Sequence, residues 1–182
     1  MSIPDFDHNN VLPPYLNNPT NRSQLSPYKF GILEVCEHFA TTTSRVEILK
    51  GLLSLRGRLN ALNVHQGFQW LDGSFMENIE KIANRPPSDI DVVTFYAGIS
   101  HEDNELLSRQ FDVSHPHHAK ERYLVDHYMV DFAYCPLVTV EETRYWLQLF
   151  THSKRTVWKG IIQVQLHTPN EDNEAIKFLN SL

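Results

Sequence analysis

The sequence predicts an α+β domain, α/β-like in its alternation, in which helices flank a mixed β-sheet. Two observations support this prediction, namely the period of the apolar residues and the order of the elements. Leucine and isoleucine recur at steps of three and four between Ile48 and Leu62, as on one face of a helix. β-Branched and aromatic residues dominate the runs that begin at Ile90 and Val125, which favours strands. Helices precede a mixture of strands and helices, and this order is typical of an α+β fold.

Composition limits the class of protein. The 182 residues suffice for one domain with a packed core, and 41% hydrophobic with 21% charged residues is ordinary for a globular chain. No apolar run approaches the roughly 20 residues of a membrane helix, and the acidic N-terminal segment does not resemble a signal peptide. The net charge of −6 argues against an extended nucleic-acid surface. Cys36 and Cys135 are far apart in apolar contexts, which favours free thiols and a cytoplasmic location.

The N-terminal part of the chain is predicted to be an irregular leader followed by helices. Prolines and asparagines break any period over residues 1–26, and residues 27–182 are expected to form the domain. Ser26 as N-cap and Pro27 in the first turn predict a short helix. Ser44 is expected to begin the longer helix that carries the leucine seam.

The second half of the chain alternates between predicted strands and helices. Thr139 followed by Glu142 matches a capping box and predicts a helix over VEETRYWLQLF. Tyr145, Trp146 and Leu149 are expected on the buried side of that helix. The other predicted elements are strands over FQWL, IDVVTFY, VDHYMVDFAY and KGIIQVQL, and helices over 104–111, over 117–124 and from Thr168 onward.

Two carboxylates stand at alternate positions at the head of the IDVVTFY run. Because strand side chains alternate between faces, Asp89 and Asp91 project from the same side. Like charges this close repel each other unless a cation lies between them. Carboxylate oxygens favour Mg²⁺ or Mn²⁺, and two such ions about 4 Å apart serve phosphoryl or nucleotidyl transfer.

A Gly-Ser pair precedes these carboxylates in the chain. Gly73 permits close approach of the backbone to a phosphate, and a helix beginning near Ser74 would direct free N–H groups toward it. The serine hydroxyl supplies a further donor. From the basic run near the end of the chain, Lys159 or Arg155 is the candidate to face the same phosphates, and a solvated turn is the alternative.

The order of these residues resembles a known superfamily. The pattern GSF…PPSDID is similar to the signature of the DNA polymerase β-like nucleotidyltransferases, which is Gly-Ser, a spacer and Asp-x-Asp on a strand. Together with VLPPYL, LDGSF…SDIDVV and RYWLQLF…WKGIIQVQL, the chain resembles the small bacterial DUF6932 family. The spacer of fourteen residues between Ser74 and Asp89 is longer than usual. It must loop out, or the helix after the Gly-Ser pair must be longer.

The resemblance implies a nucleotidyltransferase-like sheet and a Mg²⁺-dependent (or Mn²⁺-dependent) reaction. Such an enzyme transfers a nucleoside monophosphate from an NTP to an acceptor. Gly73 and Ser74 would hold the triphosphate, and Asp89 and Asp91 would bind the metal ions.

The resemblance also implies a third acid on a neighbouring strand, which would bind metal and help as general base. Asp126 and Asp131 are the candidates. They are five residues apart, so on one regular strand they face opposite sides. Asp126 is preferred because it starts its strand as Asp89 starts its own, and Asp131 remains the alternative.

The sequence does not specify the acceptor of the reaction or the biological system in which the protein acts. Acceptors in the superfamily include protein hydroxyls, RNA ends and small molecules, and many small bacterial members act in toxin–antitoxin or phage-defence systems. The chain shows no large second domain, which favours a protein partner or a homo-oligomer. The alternatives are an inactive scaffold that binds a nucleotide or a protein, and a metal-dependent phosphohydrolase.

The segment SHPHHAK contains three histidines within four positions. A zinc site is one interpretation of His115, His117 and His118. The spacing does not match a structural zinc site and no cysteine lies nearby, so a polar loop is predicted instead.

Overall fold

Five strands form one mixed sheet in the computed structural model, which describes residues 2–182. Across the sheet the order is β1-β5-β2-β3-β4, where β2 is antiparallel to both of its neighbours and the β3–β4 and β1–β5 pairs are parallel. The predicted α+β class with a mixed sheet is confirmed. The strands are β1 (Tyr28–Lys29), β2 (Gln66–Asp72), β3 (Ile90–Ala97), β4 (Val125–Asp131) and β5 (Ile162–Gln165).

Helices cover the sheet, as predicted. Within the described residues there are eight α-helices, and two 3₁₀ turns at Arg22–Gln24 and Ser74–Met76. The helices are α1 (Ile32–Phe39), α2 (Thr43–Ala61), α3 (Ile79–Ala83), α4 (His101–Ser108), α5 (Phe111–Ser114), α6 (Pro116–Tyr123), α7 (Pro136–Phe150) and α8 (Pro169–Asn180).

The two faces of the sheet carry separate apolar layers. Alternate residues of β3 illustrate this: Val92 belongs to a large core with α1, α2 and α8, and Val93 belongs to a smaller one with α7. Strand side chains alternate, so each residue of β3 is assigned to one layer by its position. The smaller layer includes Trp70, Trp146 and Phe150.

The N-terminal residues are mostly irregular but pack against the domain. Val11 and Leu12 are fully buried, and Val11 pairs with Glu77 in an isolated antiparallel bridge. The Gly160 N–H donates to the Leu12 carbonyl at 2.7 Å. These contacts hold residues 2–26 against the segment that follows the Gly-Ser pair.

The prediction of a short helix at Ser26 and Pro27 is wrong. The Ser26 hydroxyl accepts a hydrogen bond from the Ile161 N–H at 2.7 Å, and the chain continues directly into β1. The first helix begins only after Gly31. The serine before proline therefore binds the backbone just before β5 instead of capping a helix.

The capping box predicted for α7 is also wrong, since the helix begins at Pro136. Proline suits a first helical position because its φ is fixed and its missing N–H would have no partner there. The Thr139 hydroxyl, now inside the helix, donates to the Cys135 carbonyl at 3.1 Å. Of the three residues expected to be buried only Trp146 is, whereas Tyr145 and Leu149 are about half exposed, at 52% and 49%.

None of the described helices is both long enough and apolar enough to cross a membrane. The helix predicted over 117–124 is confirmed as α6, and His117 and His118 therefore lie in its first turn and not in the predicted polar loop. Pro116 occupies the first position of that helix, as Pro136 does in α7.

Candidate metal centre

The register of three adjacent strands places acidic residues side by side. Asp72 at the end of β2 is opposite Asp91 of β3, and Asp91 is opposite Asp126 of β4. Neighbouring strands lie about 4.8 Å apart, and directly paired residues share one face of the sheet. Three carboxylates therefore form a row at one end of the sheet.

Asp89 joins this row from the residue before β3. One ligand oxygen from each of Asp89, Asp91 and Asp126 lies within 4.8 Å of the other two, and these residues are called the acid triad below. The Ser88 hydroxyl donates to Asp89 Oδ1 at 2.7 Å and fixes that carboxylate. Three hard oxygen ligands at this spacing suit Mg²⁺ or Mn²⁺.

The electrostatics of the triad favour a cation. Burial, followed by the neighbouring carboxylates of Asp89 and Asp126, raises the pKa of Asp91 to about 6, against the opposing effects of Lys159 and Lys120. A carboxyl group with a raised pKa is one whose charged form lacks sufficient compensation. A divalent ion among these oxygens would supply that compensation.

Lys120 of α6 is the cation that meets the triad in this structure. Its ammonium pairs with the Asp89 carboxylate, and its side chain is 48% exposed. The hydrogen bond to Asp89 and the charges of Asp89, Asp126 and Asp91 raise the pKa of Lys120. A flexible, solvent-accessible side chain thus holds a positive charge where a metal ion would bring one.

The Gly73 turn lies directly against the triad. Gly73 has a φ of +85°, and a Cβ atom there would come within 2.9 Å of the Asp91 carboxyl carbon. Only glycine combines that backbone conformation with that approach. Ser74 begins a 3₁₀ turn of three residues, not a longer helix. The turn and the triad are therefore adjacent parts of one site.

Lys159 supports this turn from inside the protein. Its side chain is 2% exposed, and Nζ donates to the Gly73 carbonyl at 3.1 Å and to Glu77 Oε1 at 3.0 Å. The Asp72 carboxylate lies 2.9 Å from Nζ. The carboxylates of Asp72 and Glu77 raise the pKa of Lys159 although burial alone would lower it. Lys159, the predicted phosphate ligand, thus already binds two buried carboxylates and the backbone carbonyl of the turn.

Asp72 has an unsatisfied carboxylate oxygen. Its Oδ1 atom is buried and lies close to the Lys159 ammonium. Among the residues that the structure describes, this oxygen accepts no hydrogen bond. Burial raises the pKa of Asp72 to about 7, against the opposing effect of Lys159.

The long spacer after the Gly-Ser pair is ordered by Arg45 of α2. This buried guanidinium donates to the Phe75 and Glu77 carbonyls, each at 2.7 Å, and pairs with Glu80 at 2.7 Å. Its carbon Cζ lies 4.9 Å above the Phe75 ring. The spacer therefore folds as a 3₁₀ turn and the short helix α3 (Ile79–Ala83), which is clamped onto α2.

The comparison with protein families bears on most of the chain. Residues 4–165 match the model described as "Family of unknown function (DUF6932)". The chain belongs to the DUF6932 family. No curated protein and no solved structure matches it.

The remaining predicted residues lie away from the triad of this DUF6932 protein. Asp131 is opposite Tyr96, five residues along β4 from Asp126, and its Oδ1 accepts the Ala133 N–H at 2.9 Å. At about 3.3 Å per residue this is roughly 16 Å from Asp126. The exposed Arg155 donates to the Asn9 carbonyl at 2.8 Å. Of the two candidate third acids, the structure brings Asp126 to Asp89 and Asp91.

Sequence reasoning missed three residues of this site. Asp72 carried a local signal, since it directly precedes Gly73 at the end of a strand-like run. Glu77 and Lys120 carried none, because their positions depend on how the spacer and α6 pack. A groove of about 390 Å³ is lined by Tyr128, two residues beyond Asp126, and by Trp146, whose ring centroid lies 4.6 Å from that of Tyr128.

Proposed function

We propose that this DUF6932 protein is a divalent-metal-dependent nucleotidyltransferase, which moves a nucleoside monophosphate from an NTP to an acceptor hydroxyl and releases pyrophosphate. The observation that supports it is the convergence of the acid triad with the Gly73 turn. The carboxylate oxygens lie within 4.8 Å of one another, and the turn lies directly against Asp91. This combination matches the chemistry of phosphate transfer, in which positioning and charge neutralisation dominate.

The residues fit the metal ions that this function requires. Asp89, Asp91 and Asp126 offer only hard oxygen ligands, and burial together with like charge leaves Asp91 in need of a cation. These residues would hold Mg²⁺ or Mn²⁺. Ions held there would supply charge neutralisation for the phosphates and for the reacting oxygens.

The chain's own groups have distinct roles in the proposed reaction. Gly73 and Ser74 would bind the triphosphate through backbone N–H groups and the serine hydroxyl. A carboxylate oxygen of Asp126 would accept the proton of the acceptor hydroxyl as its oxygen bonds to the α-phosphorus. The bond from that phosphorus to the pyrophosphate breaks, and pyrophosphate leaves with the electron pair.

The two lysines near the site would act differently. Lys120 is half exposed and pairs with Asp89. If metal ions bound Asp89, the Lys120 ammonium would be able to pair with a phosphate instead. Lys159 is buried and hydrogen-bonded to Gly73 and Glu77, so it would position the turn instead of contacting the phosphates. The sequence-based role of Lys159 as a phosphate ligand is replaced in this proposal by that positioning role.

The test is thermal stability with Mg²⁺ or Mn²⁺ and each of the four NTPs. A ligand that binds only the folded state raises the melting temperature. The expected result is a metal-dependent increase with one or more NTPs in the wild type, which is absent in Asp89→Ala/Asp91→Ala. Asp131→Asn is the matched control, since this acid lies at the other end of β4, and it should keep the increase. No increase with any NTP, or an equal one in the double variant, contradicts the proposal.

Pyrophosphate release then separates the enzyme from an inactive binding module. A nucleotide-dependent increase in stability without pyrophosphate, in the presence of candidate acceptors, would leave a nucleotide-binding scaffold. Release of inorganic phosphate without a nucleotidylated product would instead indicate a phosphohydrolase.

A further inference from the structure

A second group of metal-ligating side chains lies on α6. His117, His118 and Glu121 each offer one ligand atom, and these atoms lie within 4.8 Å of one another. The Glu121 carboxylate oxygen Oε2 is 3.6 Å from His117 Nδ1 and 3.8 Å from His118 Nδ1. These three residues, called the histidine cluster below, are exposed, and they contribute nothing to the buried core.

Helix geometry explains the convergence. Residues three and four apart lie on the same helical surface, so Glu121 projects between the directions of His117 and His118. The predicted polar loop would not have fixed this arrangement. Because the helix spans Pro116–Tyr123, all three side chains leave an ordered backbone.

Two aromatic rings lie beside the half-exposed His118 side chain. Its ring stacks on Phe111 with a centroid distance of 6.2 Å and an interplanar angle of 30°. The ring of His115 lies 5.2 Å from that of His118, and it provides a further imidazole at the same end of the helix. A ligand whose ring is already oriented loses less conformational freedom when it binds an ion.

The nearby positive charges are engaged elsewhere. Lys120 pairs with Asp89, and Arg122 Nη1 lies 3.7 Å from the Asp112 carboxylate. Glu121 is therefore the carboxylate that faces the two imidazoles, at distances too long for strong hydrogen bonds.

We propose that the histidine cluster binds a transition-metal cation of the Zn²⁺, Co²⁺ or Ni²⁺ type. Two imidazole nitrogens and one carboxylate oxygen match the ligand preferences of these ions, with solvent completing the coordination. The acid triad offers oxygen alone and favours Mg²⁺ or Mn²⁺. The protein therefore has two sites of different selectivity, and the histidine site does not depend on the proposed enzymatic function.

The test is calorimetric titration of the untagged chain with Ni²⁺ in the presence of excess Mg²⁺. One bound Ni²⁺ per chain is expected. Removing even an outer-shell partner of a metal site costs about 10–100-fold in affinity, so His117→Ala and His118→Ala should each weaken binding at least about tenfold. Glu121→Gln should weaken it in the same direction.

The chain contains a matched control on α4. His101 and Glu105 have the same spacing of four residues, lie 3.4 Å apart and are exposed, but no second imidazole accompanies them. His101→Ala should leave Ni²⁺ binding unchanged. All these side chains are on the surface, and unchanged circular dichroism would show that each variant folds.

Three results would overturn this proposal. The first is no Ni²⁺ binding by the wild type. The second is equal loss of binding in His101→Ala and His118→Ala. The third is loss of Ni²⁺ binding in Asp91→Asn with retention in His118→Ala, because the ion would then lie at the acid triad.

Discussion

Asp91 lies between two other carboxylates and under a glycine turn, and this environment decides its properties. Burial and the charges of Asp89 and Asp126 make its ionised form unfavourable in the absence of metal. An unfavourable ionised carboxylate is expected at a metal site, because a bound cation compensates the negative charges that burial and repulsion disfavour.

The raised pKa of Asp91 predicts a pH dependence of stability. Folding moves this pKa from 3.8 to about 6, so the native state binds the proton more tightly than the unfolded state. The free energy of unfolding therefore falls as pH rises between these values, by at most ~3 kcal/mol from this group at 1.36 kcal/mol per unit. In metal-free buffer, Asp91→Asn should be more stable than wild type at neutral pH, and this advantage should vanish near pH 4. Denaturant unfolding across this range is the measurement, and an equal difference at all pH values would contradict the expectation.

Substitution of Gly73 is expected to lower both the stability of the protein and its affinity for Mn²⁺. Gly73→Ala places a Cβ within 2.9 Å of the Asp91 carboxyl carbon at a φ of +85°. The positive φ with ψ at −168° is a region that essentially only glycine adopts, so the substitution should cost about 1–3 kcal/mol in the free energy of unfolding, and displacement of Asp91 should lower Mn²⁺ affinity. Gly57→Ala is the control, because a Cβ there meets nothing within 4 Å. It should stabilise helix α2 by about 0.5–1 kcal/mol and leave Mn²⁺ affinity unchanged.

Lys159 predicts a large loss of stability. Lys159→Met leaves the buried carboxylates of Asp72 and Glu77 without their cation. Removal of one partner from a buried ion pair costs about 3–5 kcal/mol. Denaturant unfolding should show this loss, whereas the exposed Lys154→Met should change little. Adding Asp72→Asn should recover part of it, and no recovery would mean that the packing of the lysine chain, not its charge, is what matters.

Helices α2 and α6 approach each other closely where Gly51 faces the carbonyl of Tyr123. A Cβ at Gly51 would overlap that carbonyl oxygen. This approach positions α6, which carries both Lys120 and the histidine cluster. The contact therefore links the core of the N-terminal half to the rim of the proposed active site.

Gly51→Ala is expected to destabilise the protein although alanine favours helices. Overpacking typically costs about 1–3 kcal/mol, which exceeds the gain of about 1 kcal/mol from helix propensity. Thermal unfolding beside Gly57→Ala, which lies on the same helix, measures the difference. Equal stabilisation by both substitutions would show that α6 moves away without cost.

At the scale of the elements, the strands and helices with a regular local sequence pattern were predicted correctly. The β3 strand was predicted because its β-branched and aromatic run is continuous, and α2 because its leucines repeat with helical period. The start of α7 was missed, since the prediction relied on the capping box at Thr139, whereas the helix begins three residues earlier at Pro136. The exposure of Tyr145 depends on where that helix meets the sheet, which its own sequence does not specify.

At the scale of the whole molecule, strand register assembles the candidate site. Asp72, Asp91 and Asp126 are distant in sequence and become neighbours only because β2, β3 and β4 pair in one particular register. The Asp89–Asp91 pair was predictable because its spacing is local. Asp72 and Lys120 were not identified, since the pairing of β2 and the packing of α6 are non-local. The same non-local register decides that Asp126, and not Asp131, is opposite Asp91.

The most direct test of the central claim is Mn²⁺ binding, followed by the electron paramagnetic resonance signal of the free ion. We expect wild type and Asp131→Asn to remove Mn²⁺ from solution equally, and Asp126→Asn to bind it at least about tenfold more weakly. These substitutions make the same chemical change on one strand, and they differ in whether the residue belongs to the acid triad. Equal affinity of the two variants, or no binding by wild type, would contradict a metal centre at Asp89, Asp91 and Asp126.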